Sequence, residues 1–198
     1  MKILVIAAHP NLRESRVNKR WVTELHKYPE QVTVHELYAA YPEKTIDIER
    51  EQALIAEHDR LVLQFPLQWY STPAMLKQWV DDVFTTSWLF SHGGKKVAGK
   101  ELILAISIGG VEATYQAGGL IGYTISELMR PFQALANQIN LTLLPHFNLY
   151  GAVKATDEEI EISAAQYAQY ILTPELNPRI AWKRNLEAMQ KTVMTEQK

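Results

Sequence analysis

The chain has 198 residues, 47 % of them apolar, and a formal charge of −2. That length and composition suit one α/β domain with a full core, and the lack of a long basic run argues against nucleic acid as a partner. No cysteine occurs, so disulfides, thiolate catalysis and cysteine metal sites are excluded.

The first residues, Met1-Lys2-Ile3-Leu4-Val5-Ile6-Ala7-Ala8, carry a short apolar run that passes straight into His9-Pro10 without a cleavage-site pattern. It reads as a buried strand over 2–8 and not as a signal sequence. Val17, Trp21, Leu25 and Tyr28 recur at helical spacing and predict a helix over 16–28. Val32 to Leu37 alternates and predicts a second strand; residues 47–58 predict a helix, and 60–65 a third strand. Pro73 suits a first helical position, and Met75, Leu76, Trp79, Val80 and Val83 share one face of a helix over 73–86. Leu102 to Ile108 predicts a fourth strand. A helix over 124–139 follows, kinked or divided by Pro131, then a fifth strand from Leu141 to Tyr150 and a last helix from Asp157 to Ile171. No apolar run approaches the ~18–20 residues of a membrane span, and a cytoplasmic location is expected.

Continuous apolar strands separated by helices indicate a parallel sheet covered on both faces. Five of them favour an α/β fold of flavodoxin-like type, a doubly wound five-stranded parallel sheet in the order 2-1-3-4-5, with ligands at the carboxyl ends of the strands. Residues 1–173 are read as that domain and 174–198 as a polar tail, helical or frayed.

Several chemistries lack their marks. No GxGxxG follows the first strand, and there is neither a GxxxxGK[ST] loop nor a GxSxG elbow. No acidic pair ends the first strand. The six histidines show no metal-ligand spacing, so no metal is expected.

Three strand-end loops carry what remains. After the first strand come His9, Ser15, Arg16, Val17 and Asn18. Ser15 can cap the next helix, and its free N–H groups with a hydroxyl and an arginine form a phosphate site, or an ordinary capped helix. After the third strand come Pro66, Leu67, Gln68, Trp69 and Tyr70, a wall for a flat ligand or a set of packing aromatics. After the fourth come Ser107, Ile108, Gly109 and Gly110, then Tyr115; glycines admit a ring plane close to the backbone, or simply turn the chain. Taken together, one loop for an anion and two for a planar, hydrogen-bonding ring match the shape of flavin mononucleotide (FMN).

The loops also resemble the NAD(P)H:quinone oxidoreductase family, the flavodoxin-like quinone reductases. They look closest to the short bacterial general stress protein 14 type and the ancillary subunits of glutathione-gated potassium efflux systems. The matching residues are His9-Pro10, Ser15-Arg16-Val17-Asn18, Tyr41-Pro42, Ile46-Asp47-Ile48, Glu51-Gln52, Gln64 to Ser71, Pro73 to Lys77 with Trp79, Gly109-Gly110 and Arg130-Pro131-Phe132-Gln133. They span residues 2–170.

The resemblance implies a two-electron, ping-pong hydride transfer from NAD(P)H through FMN (FAD as second choice) to a quinone-like small molecule. It implies that His9 and Ser15 to Asn18 hold the flavin phosphate and ribityl chain. Pro66 to Trp69 would flank the ring, and Ser107 to Gly110 would bond its pyrimidine edge. Tyr115 takes the catalytic position, stabilising charge. Tyr70 joins the acceptor wall, and Phe90 and His92 reach a partner's pocket in a homodimer. Animal members pair the tyrosine with a histidine; here that position is Ile121 or Gly122. Ser107-Ile108 stands where relatives often have two threonines. The alternative implied role is a flavin-binding regulatory subunit of a potassium efflux transporter in the membrane.

Overall fold

The computed structural model describes residues 1–90 and 96–196. Strand β1 (Ile3–Ala7) leads into helix α1 (Arg16–Leu25), then strand β2 (Val32–Glu36) and the short helix α2 (Leu37–Ala40). Helix α3 (Ile48–Ala56), strand β3 (Arg60–Pro66), helices α4 (Ala74–Val83) and α5 (Thr86–Phe90) and strand β4 (Glu101–Ser107) follow. The chain continues through helices α6 (Ile125–Leu128) and α7 (Arg130–Ile139) to strands β5 (Thr142–Leu143) and β6 (Phe147–Leu149). Helices α8 (Asp157–Leu172) and α9 (Pro178–Glu196) come last.

All strand pairs are parallel, in the order β2-β1-β3-β4-β5, with β6 also on β4. The chain therefore has the expected α/β sheet, with one difference. The fifth lane is two short strands, one on Glu101 and Leu102 and one on Ala105 to Ser107. Pro145 lies between them and has no N–H to give a ladder.

Side chains alternate across the strands and build two cores. Leu4, Ile6, Leu61, Leu63 and Leu104 face Ile55 of α3, Leu76 and Trp79 of α4 and Phe132 of α7. Ile3, Val5, Val62 and Ile103 face Trp21 of α1 and Tyr167 of α8. The indole N–H of Trp21 donates to Ser163 Oγ at 2.9 Å, fixing α1 on α8.

Both boundaries of the helix expected over 73–86 differ from expectation. Pro73 stands one residue before α4, and its carbonyl accepts from Leu76 and Lys77. The helix expected over 73–86 stops at Val83, because Phe84 leaves helical backbone at ψ 56°. Pro131 lies in the first turn of α7 and divides it from α6, as expected. Most of the polar tail is helical, opened by Asn177 Oδ1 accepting the Arg179 N–H at 3.0 Å. Among the described residues no helix is long and apolar enough to cross a membrane.

One carboxylate lies inside the core. Glu51 of α3 is fully buried and accepts from Tyr41 Oη at 2.5 Å and Trp79 Nε1 at 2.7 Å. His35 Nε2 stands 2.9 Å from Glu51 Oε1. Burial pushes the Glu51 carboxyl up, but the His35, Tyr41 and Trp79 donors outweigh it and hold it below its ordinary value.

Candidate functional site

The carboxyl ends of β1, β3, β4 and β6 meet on one rim, and hydrogen bonds between their loops fix them there. Ser15 caps α1, its Oγ accepting the Asn18 N–H at 3.1 Å. Asn18 is buried, so its side chain faces inward, and Nδ2 donates to Ser107 Oγ at 2.8 Å. Gln64 Nε2 donates to the Asn18 carbonyl at 3.1 Å, and the Leu67 N–H donates to the Ser107 carbonyl at 2.9 Å. The loops after β1, β3 and β4 are thereby joined through Asn18 and Ser107.

The remaining residues of the first loop divide by role. His9 Nδ1 accepts the Asn11 N–H at 3.1 Å, and burial holds its pKa down, so the ring is neutral at neutral pH. Val17 is core, leaving only its backbone toward the rim. The Arg16 guanidinium pairs with Asp157 at 2.7 Å, but both side chains are largely exposed, so the pair holds weakly and an anion can compete for it.

After β3 the chain makes a tight turn. Gln68 and Ser71 exchange backbone bonds of 2.9 and 3.0 Å, and the central residues Trp69 (φ 45°) and Tyr70 (φ 65°) are both left-handed. Two consecutive positive φ values are the type I′ pattern, which favours asparagine and glycine. Left-handed backbone costs an L-residue ~1–2 kcal/mol. The result is that Trp69 stands 92 % exposed and Tyr70 43 % exposed.

After β4 the expectation needs one correction. The Ile108 N–H donates to Leu149 at 2.8 Å and its carbonyl accepts from Ala152 at 2.9 Å, so its amide is spent inside the fold and cannot also bond a ring edge. The N–H groups of Gly109 and Gly110 have no partner among the described residues. A Cβ on Gly110 would lie 3.0 Å from the Tyr115 ring, so glycine there lets the tyrosine close over the loop. Burial, with Tyr70 nearby, raises the Tyr115 pKa; the hydroxyl stays protonated and can donate.

Two contributors escape sequence reasoning. Tyr150, after β6, places its ring 6.1 Å from that of Tyr115. Gln64 is buried with Oε1 unpartnered under the rim; its one signal is a lone amide in the apolar run Leu61 to Phe65. Phe90 ends α5 with its ring half exposed, and His92 lies outside the described residues. Among the described residues no group of acidic and histidine side chains is placed to hold a metal.

The family described as flavodoxin-like fold matches residues 1–171, and the chain belongs to it. It is 52 % identical over 171 residues to the uncharacterized NAD(P)H oxidoreductase YrkL of Bacillus subtilis, covering 86 % of this chain and 98 % of that one. It is 39 % identical over 170 residues to the glutathione-regulated potassium-efflux system ancillary protein KefF of Enterobacter sp. (86 % and 95 %). Three solved structures align closely. A thermophilic tryptophan halogenase from Streptomycin violaceusniger gives a TM-score of 0.83 at 45 % identity (87 % and 99 % covered). General stress protein 14 from Treponema denticola, in complex with FMN, gives 0.82 at 40 % (86 % and 97 %). An NADPH-quinone reductase from P. pentosaceus gives 0.79 at 35 % (88 % and 99 %). The chemistries named for these proteins differ; the fold is what they share.

Proposed function

We propose that the chain is an FMN-dependent NAD(P)H oxidoreductase acting on quinone-like acceptors. The observation that carries the reading is the rim itself: three loops tied through Asn18 and Ser107, with two free glycine N–H groups beside an exposed aromatic turn. A flat ring lying on Gly109 and Gly110 against Trp69 has donors for its polar edge and an apolar wall for its face. FMN in a 40 % identical relative supports the choice of flavin, and YrkL supports the choice of reductant.

Bound flavin supplies reversible two-electron hydride chemistry. The protein does the rest. The capped start of α1, with Ser15 and Arg16, takes the phosphate. The Gly109 and Gly110 N–H groups would hold the polar edge of a bound flavin and favour negative charge there, as an oxyanion site does. Tyr115, kept protonated, donates to the developing charge, and Trp69 with Tyr70 screens the face from water. That wall would admit a nicotinamide and a flat acceptor alike; NAD(P)H would give up a hydride to become NAD(P)+, and a quinone would need that hydride equivalent and one proton to become hydroquinone. In a homodimer, Phe90 and His92 complete the neighbouring pocket.

Purified protein should bind FMN with a yellow absorbance and a higher Tm, since a ligand of the folded state stabilises it. NADPH should bleach the colour and menadione restore it. No thermal shift with FMN overturns the flavin reading. Tyr115→Phe should slow quinone reduction several-fold with FMN affinity kept; an unchanged rate removes Tyr115 from its role. The likeness to KefF supports a second reading, a flavin-binding regulatory subunit. Co-purification with a potassium transporter, without quinone turnover, would favour it.

A further inference from the structure

A cavity of about 600 Å3 lies outside the rim, between α6, α7 and the β5–β6 segment, with Pro178 at the head of α9 as a further wall. None of the residues assigned to the flavin or the acceptor lines it.

One wall carries the Arg130 guanidinium beside the Glu127 carboxylate. That carboxylate is engaged, accepting both the N–H and the hydroxyl of Thr124 at 2.8 Å. Arg130 is exposed and makes no short salt bridge among the described residues; Glu127 acts on it only at longer range, which leaves its N–H groups open to an oxyanion. Gln133 gives one amide proton to Asn137 at 2.9 Å and keeps its other proton and its carbonyl.

The facing wall carries unmet hydrogen bonds. His146 Nδ1 and Asn148 Oδ1 are both buried without a partner. Buried polar groups are nearly always satisfied, so two orphans in one cavity wall call for a cause. Burial lowers the His146 pKa, so the ring is neutral at neutral pH and offers a donor or a lone pair. Both atoms are covered by protein; the soft terminal torsion of histidine lets His146 turn toward a ligand, while the Asn148 amide is held at its other end by the Tyr150 hydroxyl.

These groups ask for different things. Arg130 asks for an oxyanion. Asn148 Oδ1 asks for an N–H, and His146 for a neighbouring ring atom. Asparagine and glutamine meet adenine in this way on nucleic acids, pairing an amide with an amino group and a ring nitrogen. The volume falls in the ~300–1,000 Å3 range of organic ligand sites. An inorganic anion alone would leave most of the cavity and both orphans unfilled.

The geometry points to a purine-nucleotide site in this cavity, with the phosphate on Arg130 and the base edge on His146 and Asn148. Two sources share that chemistry: a free nucleotide, and the adenosine phosphate half of NAD(P)H. The second is within the fold's logic because Asn148 hydrogen-bonds the Tyr150 hydroxyl, and Tyr150 faces Tyr115 on the rim.

Calorimetry on the full-length, FMN-loaded protein tests it, with 5′-AMP and adenosine 2′,5′-bisphosphate as probes. At least one should bind saturably, and Arg130→Ala should weaken that binding about tenfold or more, as loss of a charged hydrogen bond does. Asn148→Leu should weaken it as well. The FMN-induced thermal shift of both variants should match the parent, which shows that fold and rim are intact. Displacement by NADPH, with a raised KM for NADPH and unchanged kcat in Arg130→Ala, assigns the site to the reductant. Binding that NADPH does not displace assigns it to a free nucleotide. No saturable binding to the unmodified protein overturns the proposal whatever the variants do, and so does equal binding by parent and both variants. Failure of FMN to bind is a separate result, against the flavin reading alone.

Discussion

Trp69 and Trp79 flank the same strand-to-helix junction and have opposite fates. Trp79 is fully buried and its indole donates to Glu51 at 2.7 Å. Trp69 is 92 % exposed, on backbone that an L-residue adopts at a cost. The first spends its apolar surface on stability. The second gains nothing for the isolated fold, which fits the ligand-binding role proposed for its turn. A test of that contrast is to remove each ring in turn and ask what is lost.

Trp79→Ala should give the largest effect. It deletes a large core side chain and leaves Glu51 Oε2 without its donor. A loss of about 3–5 kcal/mol is expected, from the cavity together with the unmet carboxylate. Urea unfolding measures it. A loss below about 1 kcal/mol would show that the site collapses or refills, and would remove the contrast with Trp69.

The sequence separates the two tryptophans in kind, Trp79 on the apolar face of a helix and Trp69 on a loop, but not the backbone that exposes Trp69. The apolar strands, their alternation with helices and the sheet order follow from patterning, because burial on both faces demands continuous apolar runs. The three rim loops could be located for the same reason: they are what lies between a strand and the next helix. Their inner wiring could not. Asn18 reads as a polar residue near a phosphate loop, yet its side chain turns inward to Ser107. The left-handed turn at Trp69 and Tyr70 is invisible to propensity, which expects glycine or asparagine there. The single strand expected from Leu141 to Tyr150 misses the break between β5 and β6, although Pro145 carries the signal for it. Helix α9 leaves Trp182, Leu186 and Met189 largely exposed, so burial gives no pattern to read there.

Asn18→Ala tests the wiring at intermediate scale. It removes the donor to Ser107 Oγ and one acceptor of Gln64, whose Oε1 is already unpartnered. Stranding a buried polar group costs about 1–3 kcal/mol. Stability should fall by that order, and FMN affinity should fall with it, because the phosphate and ring loops lose their common tie. Lost stability with FMN affinity unchanged would mean that the tie serves the fold only.

The Glu51 cluster also predicts a pH dependence. The folded carboxyl lies below its ordinary value of 4.5, so as pH falls the unfolded chain takes up the proton first. The stabilising contribution is therefore complete above pH 4.5 and is lost as pH falls through the lower folded value. Thermal unfolding of the parent should show a steeper acid decline than Glu51→Gln, which has no proton to take. Parallel declines would place the acid sensitivity elsewhere, His146 included, since its lowered pKa gives the same sign.

Trp69→Gly should give the smallest effect, and one of opposite sign. The substitution relieves left-handed strain of ~1–2 kcal/mol. It also gives the unfolded chain more freedom, which costs ~0.4–1 kcal/mol. Little packing is lost, because the ring touches solvent over almost all its surface. The balance is a gain of about 0.5–1 kcal/mol in the ligand-free protein. In the presence of FMN the order should reverse, because the parent has an aromatic wall to offer the ring and the variant does not. Equal Tm gains with FMN in parent and variant would show that Trp69 takes no part in holding a flavin, and would leave the strained turn without a function.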